Sequence, residues 1–180
     1  MWNELKDACK QPEMPYDGYS FVPPPLPDTL AAFEASCGLK LPSTYREFVL
    51  LFGAGELSGL FRIAAPMDVD SRYELGRFNA ELHGKDDERL LDHFGLGERT
   101  LNVIFFAATG GGVLFGWLTD EVTDAVTHEY AVYEFAESGE MRRVADTFWD
   151  FINEYVLRPT ANHTWTPTLT FVPFQIRAGR

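Results

Sequence analysis

Few residues of this 180-residue chain have the types and spacings that catalytic chemistry requires. His83 and His93 lie near Asp86, Asp87 and Asp92 in the sequence, and these are the best candidates for metal ligands or acid–base groups. Neither histidine belongs to an H-E-x-x-H pattern or a comparable ligand spacing, and a charge-rich helical segment normally presents a solvated face. We therefore expect neither a metal site nor an acid–base centre there.

Nucleophilic and phosphate-binding chemistry is equally unsupported. Cys9 and Cys37 fall at apolar positions of predicted helices, which favours buried free thiols over a disulfide, a metal ligand or an activated thiolate. The chain has no G-x-S-x-G motif, and no Lys-Ser/Thr of a phosphate loop follows Gly53 and Gly55. We predict a non-enzymatic protein with no catalytic residue and no cofactor.

Charge is the most distinctive property of the sequence. The formal net charge is −12, which argues against nucleic acid or an anionic membrane as a direct partner because both require a basic footprint. From Trp117 to Met141 there are seven carboxylates and no Lys or Arg: Asp120, Glu121, Asp124, Glu129, Glu134, Glu137 and Glu140. They either only solubilise loops and outer strand faces or form a field complementary to a basic protein partner.

Trp117 stands at the start of this acidic segment. Its neighbour Gly116 leaves room beside it in a strand, so the indole could anchor an interface together with the seven carboxylates. A packed core tryptophan is the favoured alternative. Trp165, in the aromatic tail, is a further candidate contact.

The N-terminal half of the chain predicts three helices and a strand. Trp2 begins a short amphipathic helix, Asp28 or Thr29 caps a second that Gly38 ends, and Thr44-x-x-Glu47 has the spacing of a capping box for a third. The third helix has an apolar stripe typical of core packing, formed by Tyr45, Phe48, Val49 and Phe52. The segment 57–64 is predicted to be a strand.

The C-terminal half predicts consecutive strands between helices. One or two mostly exposed helices are expected over 70–93, and two apolar strands, 102–107 and 113–118, flank a glycine-rich turn. Two further strands follow at 130–135 and 141–144, and Asp146 caps a last helix. Helices grouped around consecutive strands indicate an α+β fold in which helices cover an antiparallel sheet.

We divide the chain into an N-terminal helix with a Pro-rich lead (1–27), a main domain (28–157, with a helical insertion at about 70–95) and a docked C-terminal tail (158–180). The first residues lack the features of a signal peptide, and the sequence has no long apolar run. We therefore expect a cytoplasmic protein that does not enter membranes. The sequence leaves its oligomeric state undetermined.

The run from Leu41 to Gly55, LPSTYREFVLLFGAG, resembles the signature of the SUKH superfamily, whose Smi/Knr-type members carry LP-x-x-Y-x-x-F followed by a glycine pair. Three later pieces agree in order and spacing: 105–107 leading into Gly116-Trp117, then 130–133, then 144–151. The likeness covers about residues 29–155. The Pro-rich lead, the insertion and the aromatic tail depart from the shorter members.

This resemblance implies an α+β fold and, in bacteria, an immunity protein that neutralises a polymorphic toxin by direct binding. Fungal relatives imply an alternative, a regulatory scaffold that binds an endogenous partner in cell-wall assembly. An enzyme or small-ligand binder with a site between sheet and helices is the third and least favoured hypothesis. A toxin domain as partner would be basic, since nucleases are typically cationic.

Overall fold

The computed structural model describes residues 2–10, 12, 14–96, 99, 102–158 and 165–177, and for 84–92 the backbone alone. The helices are α1 (Trp2–Ala8), α2 (Pro27–Cys37), α3 (Ser43–Phe52), α4 (Leu75–His93) and α5 (Phe148–Asp150), which continues as a π-helix over Phe151–Val156. The strands are β1 (Tyr19–Phe21), β2 (Gly55–Leu57), β3 (Phe61–Ile63), β4 (Val103–Thr109), β5 (Leu114–Asp124), β6 (Glu129–Phe135), β7 (Met141–Ala145), β8 (Phe171–Pro173) and β9 (Gln175–Arg177).

Within these described ranges, seven strands form one sheet in the order β7-β6-β5-β4-β3-β2-β8, and every neighbouring pair is antiparallel. Strands β1 and β9 form a separate antiparallel ribbon. Helices pack on both faces of the large sheet. The predicted α+β fold with an antiparallel sheet covered by helices is thus confirmed.

An aromatic cluster joins one face of the sheet to α1, α3 and α5. Phe106 and Trp117 stack on the sheet with ring centroids 4.3 Å apart, and both Tyr45 and Phe148 contact them from the helices. Burying each such side chain is worth about 1.5–3 kcal/mol relative to exposing it. These rings therefore provide much of the cohesion between the sheet and this helical layer.

The predicted stripe of α3 is confirmed. Its four apolar residues, Tyr45, Phe48, Val49 and Phe52, are all buried. Trp2 of α1 packs edge-on against Phe48 at 5.2 Å, so the N-terminal helix shares this core. The helix ends at Gly53, whose φ of +77° lies in the left-handed region that favours glycine.

Two predicted helix caps are wrong. Helix α2 begins one residue before Asp28, at Pro27, whose fixed φ suits the first turn and whose missing N–H needs no partner there. The last helix is capped by Thr147, not Asp146, because the Thr147 hydroxyl accepts a hydrogen bond from the Asp150 N–H. The first cap lies at Leu26, two residues before Asp28 and three before Thr29, and the second lies one residue after Asp146; both helices are in place.

The predicted strand over 57–64 is instead a hairpin of β2 and β3. Its turn uses positive φ at Ser58 and Gly59, so the chain reverses where sequence alternation alone suggested a continuous strand. The strands β4, β5, β6 and β7 lie where they were predicted, although β5 extends to Asp124 and so carries the first half of the acidic segment.

Helix α4 occupies the predicted insertion and packs on the opposite face of the sheet. Glu74 accepts hydrogen bonds from the N–H groups of Gly76 and Arg77, which caps its first turn. Asn79 is buried and exchanges two hydrogen bonds of 2.8 Å with the backbone of Phe105. The first turns of α4 are therefore less exposed than predicted. None of the described helices combines the length and apolarity needed to cross a bilayer.

The described part of the tail adds strands to the fold. Strand β8 pairs with β2, and Phe171 is fully buried against Phe48 and Phe52. A side chain at Gly55 would collide with the Phe171 ring and the Val172 carbonyl, so a glycine is needed for this close approach. Residues beyond 157 thus contribute to the main core.

Candidate functional site

The acidic segment folds back on itself and does not form one surface. The β5–β6 register places Leu114 opposite Phe135 at one end of the hairpin and Asp124 opposite Glu129 at the other. Asp120, Glu121 and Asp124 consequently lie towards the β5–β6 turn. The carboxylates Glu134, Glu137 and Glu140 lie towards the far end, around the β6–β7 turn.

Near the β5–β6 turn, Arg99 holds two neighbouring carboxylates. Its guanidinium contacts Asp120 at 3.0 Å and Glu121 at 2.6 Å. The hydrogen bond from Arg99 lowers the pKa of Asp120, and hydrogen bonds from the Tyr133 hydroxyl and from Arg99 lower that of Glu121. Both carboxylates therefore remain ionised well below neutral pH.

The turn itself carries exposed apolar side chains. Asp124 accepts hydrogen bonds from the N–H groups of Val126 and Thr127, which lower its pKa and fix the turn. Val126 is 90% exposed and Val122 50% exposed. We call Asp120, Glu121, Val122, Asp124 and Val126 the acidic hairpin tip.

Trp117 is a core residue, so its predicted role as an exposed interface anchor needs correction. It is 1% exposed because it points between the sheet and α3, where Tyr45 and Phe106 enclose its ring. Its indole N–H has no hydrogen-bond partner among the described residues. A partner of the folded chain cannot contact it.

Glu129 is also buried, at 2% exposure, and its predicted contact with a partner needs the same correction. Its carboxylate accepts hydrogen bonds of 2.9 Å from both the N–H and the hydroxyl of Thr44, and one of 3.4 Å from the N–H of Phe148. It therefore caps α3 and the last helix together. This arrangement replaces the predicted capping box of Thr44 and Glu47, which does not form.

At the far end, Glu134 is partly buried and accepts hydrogen bonds of 2.6 Å from Arg142 and from the Tyr155 hydroxyl. Glu137 and Glu140 are exposed, and Glu137 lies against Gly112 of the neighbouring turn. Arg142 stands on β7, next to β6, so the sheet brings a cation to a segment that has none in sequence.

The histidines considered for metal or acid–base chemistry are held by the backbone. His83 Nε2 lies 3.2 Å from the Val103 carbonyl, and His93 Nε2 lies 2.8 Å from that of Glu137. The described part of the chain groups no three His, Cys, Asp or Glu side chains as metal ligands would be. The side chains of Asp86, Asp87 and Asp92 lie outside the described residues.

The two thiols differ in exposure. Cys9 is buried, and burial raises its pKa, which is the opposite of what an activated thiolate needs. Cys37 is exposed, so its predicted burial is wrong, because α2 ends there and turns its last residue outward.

Sequence reasoning also missed an aromatic recess at the far end of the sheet. A cavity of about 360 Å³ lies there, lined by rings from β3, β5, the π-helix and the tail. These rings belong to Phe61, Phe115, Tyr155 and Trp165. Glu134 and Arg142 stand beside them. No sequence signal could find this cavity, since its residues come from separate elements that have no common spacing.

Comparison with known proteins supports the family. The model of the SMI1/KNR4 family (SUKH-1) matches residues 24–154. No curated protein matches the chain. The chain is also similar to the crystal structure of a protein from Pseudomonas syringae pv. tomato, at 15% identity and a TM-score of 0.47, over 85% of this chain and 93% of that one. Because the family model matches well over half of its residues, the chain belongs to the SMI1/KNR4 family (SUKH-1).

Proposed function

We propose that this chain is an immunity-type protein that neutralises a cognate toxin domain by binding it directly, without catalysis or a cofactor. The observation that carries the proposal is membership of the SMI1/KNR4 family (SUKH-1). The SUKH resemblance associates bacterial members with immunity to polymorphic toxins.

The acidic hairpin tip is the surface best suited to contact such a partner. Val122 and Val126 supply exposed apolar area next to three carboxylates in the sequence, of which Asp120 and Glu121 form salt bridges with Arg99. Specific interfaces combine an apolar centre with a polar rim, and opposed charge raises the association rate. These features favour a basic toxin domain as the partner.

A single exposed substitution tests the proposal. Val126→Lys introduces a cation without disturbing the core, because this side chain is 90% exposed. We expect association with the toxin domain encoded beside this chain to slow by roughly tenfold at low salt and by less at high salt. Cells that co-express the toxin and this variant should lose protection.

Met14→Lys is the matched control, since Met14 is 79% exposed and lies outside the hairpin. It should bind and protect as the parent chain does. If the parent chain protects against no neighbouring toxin, the immunity function is wrong, and capture of an endogenous partner would favour the regulatory alternative. Protection that Val126→Lys leaves intact would remove the hairpin tip from the interface.

A further inference from the structure

The aromatic recess, lined by Phe61, Phe115, Tyr155 and Trp165, is built from rings that hold one another in place. Trp165 packs against Phe61 and Tyr155 with centroids 5.3 Å apart in both cases, and Phe115 lies 5.6 Å from both Phe61 and Tyr155. Phe61, Phe115 and Tyr155 are buried and form the floor and wall, whereas Trp165 is partly exposed. The recess is therefore a preformed aromatic site.

Glu134 gives this site a directed negative charge. Its Oε2 accepts both the Arg142 and the Tyr155 hydrogen bonds, while its Oε1 has no hydrogen-bond partner among the described residues. The Glu134 side chain is 18% exposed, so a ligand can reach it while water only partly screens it. One carboxylate oxygen is thus free to accept a hydrogen bond beside aromatic rings.

The surroundings add further negative charge. Glu137 and Glu140 on the β6–β7 turn make no ion pair with any described residue, and Glu137 lies against Gly112, next to the recess residue Gly111. With Glu134 they make three carboxylates beside the guanidinium of Arg142. A second guanidinium, that of Arg62, lies near Gly110 but is paired with Glu56. The local field therefore attracts a cation and repels an anion.

The backbone under Tyr155 is also unusual. Residues Phe151–Val156 form a π-helix, closed by a hydrogen bond of 3.0 Å from the Leu157 N–H to the Ile152 carbonyl. Such turns are rare and often occur at functional sites, because they change the direction of a side chain relative to a regular α-helix. Here the turn contributes Tyr155 to the recess.

We propose that the aromatic recess binds an arginine side chain of the protein partner. A planar guanidinium stacks on aromatic rings and donates in a fork that suits a carboxylate. The occupant would lie against the partly exposed ring of Trp165 and donate to Glu134 Oε1. This inference takes the protein nature of the partner from the proposed function, but its site is remote from the acidic hairpin tip.

The probe is an acetylated, amidated Gly-Arg-Gly peptide, compared with the same peptide carrying citrulline, a neutral isostere of arginine. Binding is followed by NMR of the Trp165 indole N–H, which donates to the Val156 carbonyl and is assigned from a Trp165→Phe spectrum. We expect the arginine peptide to shift this signal and the citrulline peptide to bind roughly tenfold more weakly.

Glu134→Gln should weaken binding of the arginine peptide by roughly tenfold. The glutamine still provides an acceptor for Arg142 and Tyr155, so the fold is preserved. Glu154→Gln removes the same charge from an exposed position of the π-helix and should change nothing. Equal binding of both peptides, no loss in Glu134→Gln, or preference for a Gly-Asp-Gly peptide would overturn the proposal. The toxin plays no part in this experiment, so failure of the proposed function would leave its result intact.

Discussion

At the scale of single residues, Glu129 is an acidic residue in a buried position. Its carboxylate bonds to Thr44 at the start of α3 and to the Phe148 N–H at the start of the last helix. The first N–H groups of a helix lack internal partners and carry partial positive charge, so a buried anion there is stabilised from two sides. This explains how a glutamate occupies a core position.

Glu129→Ala should lower the free energy of unfolding by about 2–3 kcal/mol, because it leaves buried donors at both helix starts without an acceptor. Urea denaturation followed by circular dichroism measures the effect. Glu137→Ala is the control, since this exposed glutamate of the same segment should change stability by no more than about 0.5 kcal/mol. Equal midpoints for the two variants would contradict the structural role of Glu129.

At the scale of elements, local patterns predicted what depends on neighbouring residues. The stripe of α3 and the strands β4 and β5 each follow from hydrophobic period and turn composition. The sequence could not predict that Glu129 caps α3 by accepting a hydrogen bond from Thr44, which lies 85 residues away along the chain. Nor could it predict that Leu57 ends a strand, because Ser58 adopts a positive φ that its residue type does not demand.

The tail strand β8 gives a test of how far the core extends. Phe171→Ala should lower the free energy of unfolding by about 3–5 kcal/mol, because the ring is fully buried against α3 and leaves a cavity. Val172→Ala, next in the strand and 38% exposed, is the matched control and should cost less than about 1 kcal/mol. Chemical denaturation compares them. Similar losses in both variants would mean that β8 is only loosely attached.

At the scale of the whole molecule, the candidate site was only partly predictable. The charges next to one another in the sequence are not the same as those next to one another in the folded chain. The acidic segment has no cation of its own, yet Arg99 reaches Asp120 and Glu121, and Arg142 of the adjacent strand reaches Glu134. The hairpin also separates its carboxylates into two groups at opposite ends. The flanking residues of Trp117 suggested an interface residue, but its ring packs in the core against rings from α3 and β4.

These paired carboxylates make stability sensitive to acid. The pKa values of Glu34, Asp120, Glu121 and Asp124 are all lowered in the folded chain. Hydrogen bonds from Tyr133 and Arg99 lower that of Glu121, that from Arg99 lowers that of Asp120, and backbone N–H groups lower that of Asp124. For Glu34, burial raises the pKa, but hydrogen bonds from the Leu41 N–H and Arg46 outweigh it. The unfolded chain then binds more protons, so the stabilisation is complete above the unfolded pKa values and is lost as pH falls through the folded ones. Lowering pH also relieves repulsion arising from the net charge of −12, which acts in the opposite direction.

Arg99→Gln separates these two effects, because it removes the cation that lowers the pKa of Asp120 and Glu121 while changing the net charge by only one unit. We expect the free energy of unfolding to fall less steeply between about pH 5 and pH 3 in this variant than in the parent chain. The side chains are partly exposed, so the difference should be below about 1 kcal/mol. Arg72→Gln loses the same charge from a residue that forms no ion pair within the described chain, and it should keep the parent slope. Urea titrations at several pH values provide the comparison, and identical slopes for the two variants would show that general repulsion, not the Arg99 pairs, governs the acid response.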